Sequence, residues 1–382
     1  MNELSPSATQ RTAHDEPVTD QSLAADRRPL SRFWASASGF WRGKSALLGW
    51  SLTITLVVMG IAQLAVQYRL NYWNRDFFNA LQFRDGHGLV LQSLIFVPLA
   101  ILSVGLKVAA VWGRMTMQRK WREWFTTNIL HSWLYRDRYR HLEGVANEYQ
   151  NAEYRISYDA KTATDAPVDL ALGMFTAALT ALIFIGVLWD VGGSISFAAG
   201  QLQLKIPGYL VVGVIIYSLL FTQVMLLIGR KLPAVIQVQS QAEAEFLAAA
   251  NQIRTADHSS VLPKEIQQAW NAFRQVLEAW RKLCWQLMGT TFVSQTDLLF
   301  APVVAWILCA PKYISGAMTL GELMQASAAF VTVQISFNWL VDNYQRLADW
   351  RAAVNRVATL LLALDEVSRR ERAGAVKAGN RK

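Results

Sequence analysis

This chain is short of charge and of side chains that carry chemistry. Of its 382 residues only 17% are Asp, Glu, Lys or Arg, against roughly a quarter in soluble domains, while 53% are hydrophobic and 15 are Trp. That balance argues against a water-soluble globular class. Only two cysteines occur, Cys284 and Cys309. At opposite ends of one helix they stand about 37 Å apart, too far to form a disulfide within the chain. The five histidines, at positions 14, 87, 131, 141 and 258, show no metal-ligand spacing. With no nucleophile, metal or acid–base cluster in the pattern, neither an enzyme nor a metal or cofactor site is expected. A phosphate loop is missing as well. The nearest stretch, Gly39-Phe40-Trp41-Arg42-Gly43-Lys44-Ser45, places three residues between its glycines where the G-x-x-x-x-G-K-[ST] loop needs four. Its Phe and Trp crowd the backbone that would have to wrap phosphate, so an interfacial anchor is the better expectation and no nucleotide-binding domain is assigned.

What is present is apolar length. Six stretches can span a bilayer, since about 20 helical residues match a hydrocarbon core of ~30 Å. They run from Ser45 to Tyr68, Leu89 to Trp112, Pro167 to Trp189, Tyr209 to Gly229, Trp285 to Cys309 and Leu323 to Val341. Basic residues respect these boundaries: 31 of the 37 Lys and Arg lie in residues 1–44, 113–166, 230–284 and after Val341. The three intervening loops hold five, and Lys107 lies inside a span. Lys and Arg are retained on the cytoplasmic side, so both termini and both long inserts are expected there, in a multi-pass inner-membrane protein surrounded by lipid. The net charge of +9 therefore records topology, not a nucleic-acid partner.

Residues 1–30 are polar and read as a disordered cytoplasmic leader. Residues 31–44 mix Phe33, Trp34, Phe40 and Trp41 with Arg32 and Arg42, as an interfacial helix does. In the first insert Trp121, Phe125 and Ile129 recur every four residues, which predicts an amphipathic helix leaving the membrane. The second insert is rich in helix formers over 244–251 and 265–283. Past the last span, Leu347, Trp350, Val354, Val357 and Leu361 keep a helical period, predicting one unbroken helix to Asp365 followed by a polar basic tail over 366–382. The fold class is all-α and polytopic, with six transmembrane helices and long cytoplasmic helical extensions, the layout of half a type I ABC exporter.

Specific residues carry a resemblance. Thr319-Leu320-Gly321-Glu322-Leu323-Met324-Gln325, then Tyr344-Gln345-Arg346-Leu347-Ala348 and Trp350-Arg351-Ala352, form its most distinctive run. Leu70 to Leu81, Gln118-Arg119-Lys120-Trp121-Arg122, Ile206-Pro207-Gly208-Tyr209, Lys231-Leu232-Pro233 and Ala310-Pro311-Lys312-Tyr313 extend it. Over residues 45–365 the chain resembles the SbmA/BacA peptide-transporter family and the related membrane domains of ABC subfamily D. The resemblance implies a homodimer that moves peptides or other bulky hydrophilic solutes, driven by a proton gradient or by ATP. It also marks two cytoplasmic coupling segments, with Asn151, Arg155 and Asp159 in the first and Glu243, Arg254 and His258 in the second. Both depart from the family pattern. The first reads Asn151-Ala152-Glu153-Tyr154-Arg155-Ile156 where the family has Asn-Pro-Asp-Gln-Arg-Ile. The second reads Arg254-Thr255-Ala256-Asp257-His258 for Arg-Glu-Asn-Ala-Glu, with Leu247 in place of an Arg.

An ionisable group at bilayer depth is costly, so each one is a candidate for function. Lys107 lies near the cytoplasmic end of its span, where its stem can reach the headgroups. Asp169 falls in the first turn of the third span, where a helix N-terminus tolerates it. Asp297 sits at the midplane, 12 residues from either end of the fifth span. It is either a proton or cation carrier or a structural hydrogen-bond acceptor. Ser327, Gln334 and Asn338 are candidates for lining the same cavity, the last two spaced i and i+4. Three functions remain open at this point: a gradient-driven transporter, the membrane subunit of an ABC system with its ATPase on a separate chain, and an uncoupled membrane scaffold.

Overall fold

The computed structural model describes residues 29–43, 45–142, 152–199, 202–255 and 263–379. The expected leader falls almost wholly outside them. Ten helices follow in order: α1 Pro29–Ala37, α2 Ala46–Gln82, α3 Gly86–Leu134, α4 Arg138–Leu142, α5 Ala152–Gly192, α6 Tyr209–Gly229, α7 Leu232–Thr255, α8 Pro263–Ile314, α9 Leu320–Asp342 and α10 Tyr344–Gly379. Five of them, α2, α3, α5, α6 and α8, are long and apolar enough to cross a membrane. The sixth expected span lies in α9, which is helical throughout but carries Gln325, Ser327, Thr332, Gln334, Ser336 and Asn338. These polar residues dilute its apolar length. Along α3, Leu94, Ile101, Val104, Val108 and Trp112 stand exposed, as a lipid-facing helix presents them.

Two features depart from expectation. A β-hairpin, β1 Ser194–Ala199 against antiparallel β2 Leu202–Pro207, joins α5 to α6. Its alternation, Ser-Ile-Ser-Phe and Leu-Gln-Leu-Lys-Ile, carries the period-two signal of a strand inside an otherwise helical pattern. The helix expected to run unbroken past the last span instead stops at Asn343, between α9 and α10. There the backbone leaves helical geometry (φ −101°, ψ 4°), and both the Asn343 backbone N–H, at 3.1 Å, and its side-chain amide, at 2.9 Å, donate to the Trp339 carbonyl and close the end of α9. Beyond the break, α10 continues through most of the stretch expected to be a polar tail.

The chain divides into two compact units, Met1–Thr55 with Gly113–Asp169 and Arg346–Lys382, and Leu56–Trp112 with Leu170–Gln345. In the first, the expected Trp121, Phe125 and Ile129 stripe is buried, together with Val354, Val357 and Leu361 of α10. Phe33 and Phe40, expected at a membrane interface, are buried in protein instead. Phe33 meets Phe125 edge-on at 5.5 Å and Phe40 meets Trp124 at 6.0 Å. Aromatic partners within the protein remove more of their surface from water than an interface can. Two ion pairs tie this unit's ends together. Arg32 donates to both oxygens of Asp365 at 2.6 and 2.9 Å, and Arg138 reaches Glu371 at 2.8 Å.

The second unit has an apolar core drawn from α2, α5, α6, α8 and α9, including Leu64, Phe184, Leu188, Leu210, Val214, Phe330 and Val333. Its helix ends are closed by long-range contacts. Thr319 caps α9 with a reciprocal box: its hydroxyl accepts from the Glu322 N–H at 3.2 Å, and Glu322 accepts from the Thr319 N–H at 2.8 Å. The next two N–H groups donate to side chains of α2, Leu320 to Gln82 at 2.6 Å and Gly321 to Asn79 at 3.0 Å. Gly321 is required for this approach, because a Cβ there would stand 2.1 Å from the Arg75 carbonyl oxygen. Likewise Gly208, at φ +61°, starts α6 against Trp189, whose ring would lie 2.4 Å from an added Cβ.

Gly321→Ala is expected to destabilise the fold by about 1–3 kcal/mol through overpacking. Gly105→Ala, where nothing lies within 4 Å of the added methyl, should hold or raise stability. Thermal melts of the two purified variants in detergent check this, and equal midpoints would refute the close-approach account.

Candidate functional site

The second unit contains a buried polar cluster built on α8 and α9. Asp297 is 7% exposed and Gln334 1%. Gln334 donates from Nε2 to both Asp297 oxygens, at 2.9 and 2.8 Å, and Asn338 donates to Oδ2 at 2.8 Å. One α-helical turn separates the two amides, so both point to the same carboxylate. The Ser218 hydroxyl of α6 donates to Gln334 Oε1 at 2.5 Å, fixing which end of the amide faces Asp297. Tyr217 adds a 3.5 Å bond to the Asp297 carbonyl. The sequence-predicted residues Asp297, Gln334 and Asn338 are therefore brought together. Ser327 is buried on the same helix, but the side chains that hold Asp297 are the two amides. Among the described residues no cation is paired with Asp297.

A separate groove-like cavity of about 610 Å³ opens on another face of α9 in this unit. Thr332, Ser336 and Trp339 line it with Gln63 and Gln67 of α2, Lys107 of α3 and Thr176 of α5. Gln334 and Asn338 turn away from this groove toward Asp297.

The first unit holds two carboxylates that face arginine. Asp169 is not in a first turn, as expected, but well inside α5, which begins at Ala152. Arg114 Nε stands 3.4 Å from Oδ1, Gln118 donates to the same oxygen at 2.8 Å, and Arg346 of α10 binds Oδ2. A helix terminus therefore plays no part in holding it. Asp159, fully buried, lies at the end of a π turn, Arg155–Asp159, within α5. Arg356 of α10 grips it with two bonds at 2.9 and 2.8 Å, which push the guanidinium above its ordinary pKa. One turn earlier Arg155 donates to Thr359 Oγ1 at 3.0 Å. The wider π turn sets Arg155 and Asp159 on one face toward α10.

Of the other expected coupling residues, Asn151 and His258 lie outside the described residues. Glu243 of α7 is exposed and accepts from Gln239 and, at 3.5 Å, from Trp280. Arg254 is exposed in the last turn of the same helix. The structure thus gathers Arg155 and Asp159 at α10 and leaves Glu243 and Arg254 on the α7–α8 hairpin. Sequence reasoning missed Arg356, Arg346 and Arg114. For the two on α10 the signal is an arginine every five residues, Arg346, Arg351 and Arg356, legible only once the opposing carboxylates are known.

A helical polytopic chain with its polar groups sequestered between spans is the membrane region of a transporter. Residues 43–314 match the family described as ABC transporter transmembrane region 2, and the chain belongs to that family. It is 25% identical over 87% of its length to the Inner membrane ABC transporter ATP-binding protein YddA of Escherichia coli (strain K12), covering 60% of that protein. An Uncharacterized ABC transporter ATP-binding protein of Haemophilus influenzae is 20% identical over 88% of this chain and 57% of its own length. ABC transporter D family member 2, chloroplastic, of Arabidopsis thaliana is 19% identical over 90% and 47% respectively. The chain therefore spans about half to three-fifths of the length of these relatives.

Arg356→Gln should cost about 2 kcal/mol, because it leaves a fully buried carboxylate without its partner. Replacing both residues, Asp159→Leu with Arg356→Leu, should cost less than Arg356→Gln alone. Thermal melts of the single and double variants decide it, and a double variant that loses more would show that packing, not the orphaned charge, sets the cost.

Proposed function

We propose that this chain is the membrane-spanning half of an SbmA/BacA-like homodimer in the inner membrane. It moves peptides or other bulky hydrophilic solutes and is driven by a proton gradient. The observation that carries the reading is the Asp297 cluster. A carboxylate at the middle of an apolar helix is expensive and is retained where it serves transport or assembly. Its side chain is held by neutral amides and has no cationic partner among the described residues, so a change in its charge breaks no ion pair. Gln334, Asn338 and Asp342 follow at four-residue steps along one face of α9, and Asp342 is exposed at the end of that helix. The stripe places an exposed carboxylate on the same face of α9 as the amides that hold the buried one. The segregation of Lys and Arg supports cytoplasmic termini for this arrangement.

A second reading is supported by the relatives, whose names identify them as ATP-binding proteins. On it, the chain is the membrane subunit of an ABC transporter served by an ATPase, carried on a separate polypeptide. Exposed Glu243 and Arg254 on the α7–α8 hairpin then become ATPase contacts.

Reconstitution of the purified chain separates the two. Peptide uptake under an imposed pH gradient without ATP is the expected result, and Asp297→Asn should abolish it while cross-linking still reports a dimer. Undiminished uptake by Asp297→Asn would remove that residue from the coupling, and uptake appearing only with an added ATPase and ATP would favour the second reading.

A further inference from the structure

The groove in the second unit contains an ionisable group that the Asp297 cluster does not use. Lys107 is exposed within it and is the one ionisable side chain among the described lining residues. Near the headgroup end of its span the ammonium stays within reach of water, and no carboxylate is paired with it among the described residues, which leaves it open to an anionic ligand. Three of its four lining hydroxyls have spent their protons: Thr176, Thr332 and Ser336 each donate to a carbonyl of their own helix, at 2.9, 2.8 and 2.8 Å, leaving oxygen lone pairs as acceptors. The groove therefore combines one ammonium, these three acceptors, the amides of Gln63 and Gln67 and an apolar wall that includes Ile335 and the Trp339 indole. Its size, about 610 Å³, suits a small ligand. Trp339 is set in place by Gly173, where a Cβ would stand 2.7 Å from the indole nitrogen.

We propose that this groove is a solute subsite in which Lys107 binds the free C-terminal carboxylate of a peptide whose last residues are apolar. The peptide's N–H groups donate to the Thr176, Thr332 and Ser336 oxygens, and its side chains lie against Trp339 and Ile335. Charge complementarity selects the anionic end, and the three hydroxyl oxygens accept from the donors that the ligand brings. The assignment rests on the transport reading and names the chemical feature of the solute that this half of the carrier recognises.

The test uses the full chain in proteoliposomes with Cys284→Ser and Cys309→Ala, so that Ser336→Cys reports alone. Its modification by an anionic methanethiosulfonate should outpace that by a cationic one by roughly five- to tenfold, the effect expected of one nearby charge. Lys107→Gln should level the two rates and Lys107→Arg should restore the difference. A free-acid tripeptide, Ala-Phe-Phe, should slow modification when Lys107 is present and lose that protection in Lys107→Gln, while the C-terminally amidated tripeptide should protect poorly in both. Equal rates with Lys107 in place, or equal protection by acid and amide, would overturn the assignment. A thiol unreactive to both reagents would also overturn it and would indicate a groove filled by lipid. Selective protection by the free acid in a preparation without gradient-driven uptake would uphold the subsite and overturn the proton-gradient reading instead.

Discussion

The second unit is organised by the seating of the α9 N-terminus against the last turns of α2. Helix N-termini leave unpaired N–H groups, and in an apolar environment each one costs several kcal/mol unless answered. Thr319 and Glu322 answer two within α9, and Asn79 and Gln82 of α2 answer the next two. Gly321 allows the backbones to come this close. Asn71 extends the seam by donating to the Gln325 carbonyl at 3.1 Å. With its first turns fixed in rotation, α9 has no freedom over where its later residues point. Gln334 and Asn338 must meet α8, and Thr332, Ser336 and Trp339 must face the groove. Both polar features of this unit follow from one docking contact.

The segments that carry the family resemblance turn out to be partners. Thr319 to Gln325 lies on Leu70 to Leu81 through the contacts just described. Lys312 of the Ala-Pro-Lys-Tyr segment donates to the Gly192 carbonyl and sits 5.5 Å over the ring of Tyr209, which follows Gly208 in the other matched turn. Gln118 and Arg346, from two further segments, share Asp169. These residues close helix ends and pair helices across long stretches of sequence. They specify how spans assemble, which explains why they identify the membrane region so well and its cargo so poorly.

How much of this was legible in the sequence depends on whether the signal is local. Apolar runs and the Trp121, Phe125, Ile129 period define helices because burial and hydrogen bonding repeat along one segment. The i, i+4 spacing of Gln334 and Asn338 placed them on one face for the same reason. What they face is another matter. Asp297 lies 37 residues before Gln334, and nothing in either helix's period names the other. Asp169 shows the same limit. Its place after Pro167 suggested a first turn, yet α5 begins at Ala152, and the arginines that hold the carboxylate come from α3 and α10. The stop at Asn343 was hidden because Leu347 to Leu361 keep a helical period beyond it, and the backbone leaves helical geometry at that one residue. Phe33 and Phe40 read as membrane anchors because aromatic residues beside arginines look alike whether lipid or protein covers them.

Three carboxylates withdrawn from solvent are held in two different ways within one chain. Asp159 and Asp169 face guanidinium groups, so a change of charge at either would break an ion pair and leave a buried cation or anion unbalanced. Their arrangement suits residues that fasten α5 to α10. Asp297 instead meets neutral amide N–H groups: Gln334 Nε2 donates to both of its oxygens and Asn338 to one. Of these three carboxylates, Asp297 is the one without a cationic partner among the described residues, which is why the proposed coupling role is attached to α8 and α9 and not to the arginine-bound segments.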